Sequence, residues 1–212
     1  MCSRYELTTS FERLQTSLKK NLPKDFEKHY ESQPLIRPNH PVLVLKHENG
    51  ISSSSLMLWG LLAEWSKDPI NDLRPINARA ETVGIKPSFR AAWRHRRCLL
   101  PANGFFEKGH RIRRVDSKPF WLAGLWNRWL GNDGSEIESC LVITTKPNSL
   151  IKPLHNRMPV IIPDGIESLW MRETDAAGLQ DLAPILNGWT PEGWMVEPMV
   201  RSRSVNLQLN FF

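Results

Sequence analysis

The sequence predicts one α+β domain, residues 1–212, built on a curled, largely antiparallel, barrel-like β core with short flanking helices. Three observations lead there. Apolar residues fall in short, strand-length runs that follow one another along the chain, with only scattered helical spacing between them. Two of the gaps carry turn chemistry, Glu48-Asn49-Gly50 and Asn132-Asp133-Gly134. At 212 residues and 41% hydrophobic content the chain is long enough for one substantial core, and it shows no repeat, low-complexity tract or linker.

The first element is a helix. Thr9-Ser10-Phe11-Glu12 reads as a capping box with Thr9 as cap, Phe11, Leu14 and Leu18 follow at helical spacing, and Pro23 closes the segment. Lys19-Lys20 reads as its solvated face. Strands are then expected at Val42–Leu45 and Met57–Leu61, on either side of the first turn signal. A helix over Ser88–Arg94 precedes strands at Leu99–Leu100, Phe120–Leu125 and Leu141–Thr144, with Asn132-Asp133-Gly134 as a hairpin tip. Val160–Ile162 is a further strand. A helix after Asp164 has Glu167 completing a second capping pattern, and Met195–Val196 ends the set. Sixteen prolines spread along the chain imply fixed loops rather than a domain boundary.

Composition narrows the function classes. No apolar run approaches the roughly 18–20 residues of a membrane span, and residues 1–6 lack a signal pattern, so a cytosolic protein is expected. Three Cys without CxxC spacing argue against a disulfide framework or zinc site, and Cys98 and Cys140 read as core. No metal or organic cofactor is called for. Twenty-eight Lys+Arg against 22 Asp+Glu give a net charge of +6, which suits a polyanion such as nucleic acid. Nine Trp can fill a core or stack on unpaired bases.

The chain begins Met1-Cys2. Removal of Met1 ahead of a small residue would put a free α-amine and a thiol on the same residue. The amine can condense with an aldehyde to an imine, and the thiol can close on the imine carbon as a five-membered thiazolidine. Three other segments concentrate polar side chains among apolar flanks. They are Ile76-Asn77-Ala78-Arg79-Ala80-Glu81-Thr82, Pro101-Ala102-Asn103-Gly104-Phe105-Phe106-Glu107 and Leu154-His155-Asn156-Arg157-Met158-Pro159-Val160. Singly these have bland readings: Asn77 as a turn former, Arg79 with Glu81 as a surface pair, Glu107 as a loop acid, His155 as a structural histidine.

Together they resemble a family, the SRAP domain (SOS response-associated peptidase, or abasic-site processing family). The resemblance runs through Met1-Cys2-x-Arg4, Trp59-Gly60-Leu61 with Trp65, the segment 76–82, Lys86-Pro87-Ser88-Phe89-Arg90, residues 97–107, residues 155–160 and Val205-Asn206. These blocks occur in family order along nearly the whole chain. The resemblance implies binding to single-stranded DNA at abasic sites and a thiazolidine cross-link from Cys2 to the open-chain sugar. It implies Asn77 positioning the sugar or the N-terminus, Glu107 moving protons, and His155 as acid/base at the sugar, including ring opening or strand scission. Arg4, Arg79 and Arg157 match positions that approach phosphates, and Trp65 matches a tryptophan that stacks on or wedges beside a base. Arg90, with Arg94, Arg96 and Arg97, would extend the basic track. Such backbone-directed contacts are sequence-tolerant and salt-sensitive. A monomer is the simplest state for this size.

Four departures from the family pattern stand out: Ser3 for a usual Gly, a degenerate Arg37-Pro38-Asn39-His40-Pro41 segment, Ala63 for a Pro, and Lys108 for an aromatic. They bear on the approach to Cys2 and on the shape of the DNA-binding edge. Self-processing peptidase chemistry is also described for the family, though ordinary Met1 removal suffices here. Two other readings stay open at this level: a non-covalent single-stranded DNA module, and an N-terminal-Cys glutamine amidotransferase.

Overall fold

The computed structural model describes residues 2–17, 22–23 and 25–199. Met1, Leu18, Lys19-Lys20 and Val205-Asn206 lie outside them.

The chain opens with β1 (Tyr5–Leu7), α1 (Phe11–Ser17), α2 (Phe26–His29) and β2 (Gln33–Ile36). It continues with β3 (Pro41–Glu48), β4 (Ile51–Trp59), β5 (Asn77–Arg79), α3 (Pro87–His95), β6 (Arg97–Ala102), β7 (Gly104–Glu107) and β8 (His110–Arg114). The last part holds β9 (Phe120–Leu130), β10 (Glu136–Thr145), β11 (Met158–Pro159), β12 (Ile161–Ile162), α4 (Glu167–Met171), α5 (Ala176–Asp181), α6 (Ala183–Leu186) and β13 (Trp194–Pro198). This is the expected α+β domain. Strands β10, β4, β3, β6 and β9 pair in that order, and β9 pairs back onto β10, so the sheet closes as a five-stranded barrel. The closure is antiparallel except at β4–β10, which is parallel through Ser139↔Leu58 and Cys140↔Trp59.

Both predicted hairpins form. Asn49 and Gly50 take φ of 52° and 79° between β3 and β4, the pair of positive values that a type I′ turn needs. Strand β9 is buried from Phe120 through Asn127, which is why it reads as a continuous apolar run. Gly124 leaves room for β6 side chains: a Cβ there would sit 2.5 Å from Leu100 Cδ1 and 2.8 Å from Cys98 Sγ. Trp59, Trp121, Trp126 and Trp170 are each at most 1% exposed, and Cys98 and Cys140 are buried among them. By area, each such indole contributes about 4–6 kcal/mol at most.

A second sheet, in the order β13-β8-β7-β1-β2, packs on the barrel and has no counterpart in the apolar runs beyond Met195–Val196 in β13. Its strands are short, and β8 carries four polar residues out of five. Tyr5 joins the sheet to the barrel edge-on against Trp59, with ring centroids 5.2 Å apart.

Three local expectations are corrected. The first helix is capped by Ser10, whose Oγ accepts from Arg13 N–H at 3.4 Å, because the Thr9 hydroxyl is taken by the Asn103 amide. Asp164 does not cap the later helix, whose N-cap position is Ile166, but faces Arg114 at 3.7 Å; Glu167 accepts from the Gly165 N–H. Strand β4 starts at Ile51 rather than Met57, since its first half is Ser52-Ser53-Ser54-Ser55 and carries no apolar signal.

Candidate active site

The site begins where β1 enters the second sheet. β1 pairs antiparallel with β7 through Tyr5↔Phe105 and Glu6↔Gly104, and Phe106 N–H donates to Arg4 O at 2.9 Å. The start of the chain therefore runs back toward Glu107 at the far end of β7. A two-residue turn with positive φ at Lys108 (43°) and Gly109 (75°) follows Glu107 and sends the chain into β8. Lys108 thus occupies a left-handed turn position.

Cys2 is buried, at 1% exposure. Burial pushes its thiol up to about 12; the Glu107 carboxylate adds to the rise, and a backbone hydrogen bond at Arg4 opposes it. The thiol is thus protonated at neutral pH.

Asn77 is brought in by β5, which adds parallel to β10 through Val142↔Asn77 and Thr144↔Arg79. Trp59 Nε1–H fixes the preceding residue by donating to Ile76 O at 3.0 Å. So placed, Asn77 Nδ2 donates to Cys2 O at 2.9 Å. Its Oδ1 is buried and accepts no hydrogen bond among the described residues. A buried amide normally satisfies both ends, so this oxygen is an acceptor held ready beside Cys2.

His155 closes a tight turn from Asn148, whose Oδ1 accepts Ile151 N–H at 3.0 Å while His155 N–H reaches Ile151 O at 2.9 Å. Arg157 N–H lies 3.0 Å from His155 Nδ1. Two residues on, β11 joins β10 at Thr144↔Pro159. Thr144 thus has Arg79 on one side and the 155–159 segment on the other. The Arg157 guanidinium is engaged by Glu81 and by Thr144 O. Glu81 is held at about 2 by the hydrogen bonds from Arg157, with that charge and Lys146 contributing.

The remaining residues named from sequence lie on the surface. Arg4 is half-buried; Arg79 and Arg90, the latter on α3, are exposed. Trp65 is 61% exposed, the one exposed indole of the nine, all of which are described. Its loop is nevertheless tied down. Asn127 Nδ2 donates to Leu62 O at 3.1 Å, Leu62 N–H to Ser139 Oγ at 2.9 Å, and Trp129 Nε1–H to Ser66 O at 2.9 Å.

The basic run 94–97 does not act as a unit. Arg97 is 1% exposed and donates to the carbonyls of Trp170, Trp93, Arg94 and Arg172. Arg96 pairs with Glu64 and Asn127. Sequence reasoning missed the Glu81–Arg157 pair, because both residues have solvent-facing alternatives and lie 76 positions apart. Among the described residues no group of three His, Cys, Asp or Glu side chains is arranged to hold a metal ion, and no helix is long and apolar enough to cross a membrane.

The structure is a closed barrel with a second sheet, and it sets a buried cysteine against the Asn77 amide and within the field of Glu107. A family model described as SOS response associated peptidase (SRAP) matches residues 1–203. The abasic site processing protein YoqW of Bacillus subtilis (strain 168) is 33% identical over 219 residues, covering 97% of this chain and 96% of that protein. The abasic site processing protein YedK of Escherichia coli (strain K12) is 26% identical over 186 residues, covering 82% and 80%. A crystal structure of a protein from Bordetella bronchiseptica shares the fold, with a TM-score of 0.76 at 22% identity over 93% of this chain and 99% of that one. The chain belongs to the SRAP family.

Proposed function

We propose that this protein processes abasic sites in single-stranded DNA by capturing them covalently through Cys2, which shields the lesion. The observation that carries the reading is Asn77: its amide grips the Cys2 carbonyl while its buried Oδ1 has no donor among the described residues, beside a thiol that also feels the Glu107 charge. The names of the relatives point to the same substrate class.

With Met1 removed, the Cys2 α-amine adds to the aldehyde carbon of the ring-opened sugar. A C–N bond forms and water leaves as the imine appears. The Cys2 sulfur then bonds to the imine carbon, and the thiol proton ends on nitrogen, closing the thiazolidine. The amine acts first, since the imine carbon must exist before the ring can close, and the sulfur follows as its proton is removed. Glu107 is the base for that transfer, and the acid that returns the proton on reversal. Asn77 Oδ1 accepts from the amine or from a sugar hydroxyl. His155 serves at the sugar, in ring opening and in any strand scission.

Arg4, Arg79 and Arg90 supply sequence-tolerant phosphate contacts. Arg157, held by Glu81 and Thr144, adds charge to that track rather than an open fork. Trp65, rigid in backbone and exposed in side chain, stacks on a base beside the lesion.

The test is a denaturing gel of the protein with a single-stranded oligonucleotide carrying one abasic site, against intact oligonucleotide and Cys2→Ala. A band that survives heat and detergent and needs both lesion and Cys2 is expected. Salt-sensitive binding without that band, from protein with Met1 removed, would replace the proposal with a non-covalent binding module.

A further inference from the structure

Glu81 ends the segment that carries Asn77 and Arg79, and the chemistry above gives it no task. Its carboxylate meets the Arg157 guanidinium end-on, Oε1 2.6 Å from Nη1 and Oε2 2.8 Å from Nη2. Nη2 donates again to Thr144 O at 2.5 Å, the same oxygen that receives Ala80 N–H at 2.8 Å. The Arg157 side chain is only 12% exposed. An arginine that reads phosphate presents its planar fork to the ligand; this fork is closed on the protein's own carboxylate and carbonyl.

The main chain of Arg157 does something else. Its N–H lies 3.0 Å from His155 Nδ1 and its carbonyl oxygen 3.3 Å from the same nitrogen. An amide N–H can only donate, so at 3.0 Å the neutral ring accepts at Nδ1 and carries its proton on Nε2. A protonated ring must donate from Nδ1, and the carbonyl is the acceptor beside it. One residue thus partners Nδ1 in both states. For acid catalysis the doubly protonated ring would pass its Nε2 proton to the departing sugar oxygen. The N–H bonding pair stays on Nε2, and Nδ1–H remains on the Arg157 carbonyl.

We propose that Glu81 is a positioning residue for His155, acting through Arg157. The carboxylate and Thr144 O hold the Arg157 side chain, and the side chain holds the main-chain N–H and C=O at the distances Nδ1 requires. This rests on the reading of His155 as the group that works at the sugar.

The experiment compares wild type, Glu81→Gln, the charge exchange Glu81→Arg with Arg157→Glu, and His155→Ala. Scission is followed at saturating abasic oligonucleotide, affinity on intact single-stranded oligonucleotide, and the His155 ring by long-range 1H–15N spectra assigned with His155→Gln. Glu81→Gln is expected to slow His155-dependent scission about 10-fold. It should leave affinity within about 2-fold and mix the ring's two tautomers. It should add nothing in the His155→Ala background, and the charge exchange should recover part of the rate. An unchanged ring spectrum in Glu81→Gln overturns the proposal. So does weakened affinity with an unchanged saturating rate, which would make Glu81 a support for phosphate binding instead. If His155→Ala itself leaves scission unchanged, the reading of His155 fails, and the ring spectrum still decides what Glu81 does.

Discussion

Asn77→Ala separates stability from chemistry at the centre of the site. The wild-type amide makes one hydrogen bond, Nδ2 to Cys2 O at 2.9 Å, and buries one oxygen that accepts none among the described residues. Losing the donor leaves the Cys2 carbonyl less satisfied, a cost of about 1–2 kcal/mol. Losing Oδ1 relieves a desolvated acceptor worth about 1–3 kcal/mol. The two effects oppose, so the net change should stay within about 1 kcal/mol, or about 2–4 °C in Tm for a chain of this size. The chemical step has no such offset. Without the grip on Cys2 the attacking amine is misplaced, and a displacement of about 1 Å costs about 100-fold. Thermal melting and single-turnover cross-linking at saturating abasic oligonucleotide measure the two quantities. A cross-linking rate within about 2-fold of wild type, or a melting drop beyond about 8 °C, would contradict this role for Asn77. Asn77→Asp should be worse than Ala on both counts, since it sets a carboxylate against the Cys2 carbonyl, whose thiol already feels Glu107.

Other outcomes follow from the same geometry. Trp65→Ala should weaken single-stranded DNA binding by about 1–3 kcal/mol, read by fluorescence anisotropy, with Tm nearly unchanged because the indole is 61% exposed; an unchanged affinity removes Trp65 from the interface. Arg97→Met should cost about 1–3 kcal/mol or more in denaturant unfolding, because four carbonyls lose their buried donor. Arg90→Ala should leave stability alone and only flatten the salt dependence of binding, and a melting loss equal to that of Arg97→Met would contradict the separation of the two. Glu81 and Asp116 both sit at about 2, below their ordinary 4.5 and 3.8, through hydrogen bonds from Arg157 and Arg114. Their contribution is present above those ordinary values and is lost as pH falls toward 2. Both are partly exposed, so each is worth about 1 kcal/mol or less. Glu81→Gln with Asp116→Asn should flatten the acid limb of a pH–stability curve, and an identical limb would refute the assignment.

Much of the barrel is written locally. Residues 120–125 and 141–143 are buried on both faces, so polar side chains are excluded from them whatever surrounds them, and the run is visible without the fold. The Asn49-Gly50 turn is equally local, since only such residues take positive φ cheaply. The second sheet is different. β7 alternates little, β8 is mostly charged, and β5 is three residues long, so each is a strand only because a partner receives its backbone. The capping error has the same origin: Thr9 has the chemistry of a cap, but Asn103, 94 residues away, takes its hydroxyl.

The candidate site divides along that line. The candidates for the chemistry, Cys2, Asn77, Glu107 and His155, can be read from the chain alone, because they lie in segments whose motifs name them, and so can the excess of positive charge. What each meets in its surroundings emerges from the fold. Arg90 and Arg97 are the same residue type in one basic run, yet one is exposed on α3 and the other is buried against four carbonyls. Arg157 sits in a motif that implies phosphate, and Glu81 closes its fork. Cys2 meets Asn77 and the charge of Glu107 because β1 pairs with β7 and β5 with β10. Hydrogen bonding between strands far apart in the chain sets those encounters, and residue identity alone does not encode them.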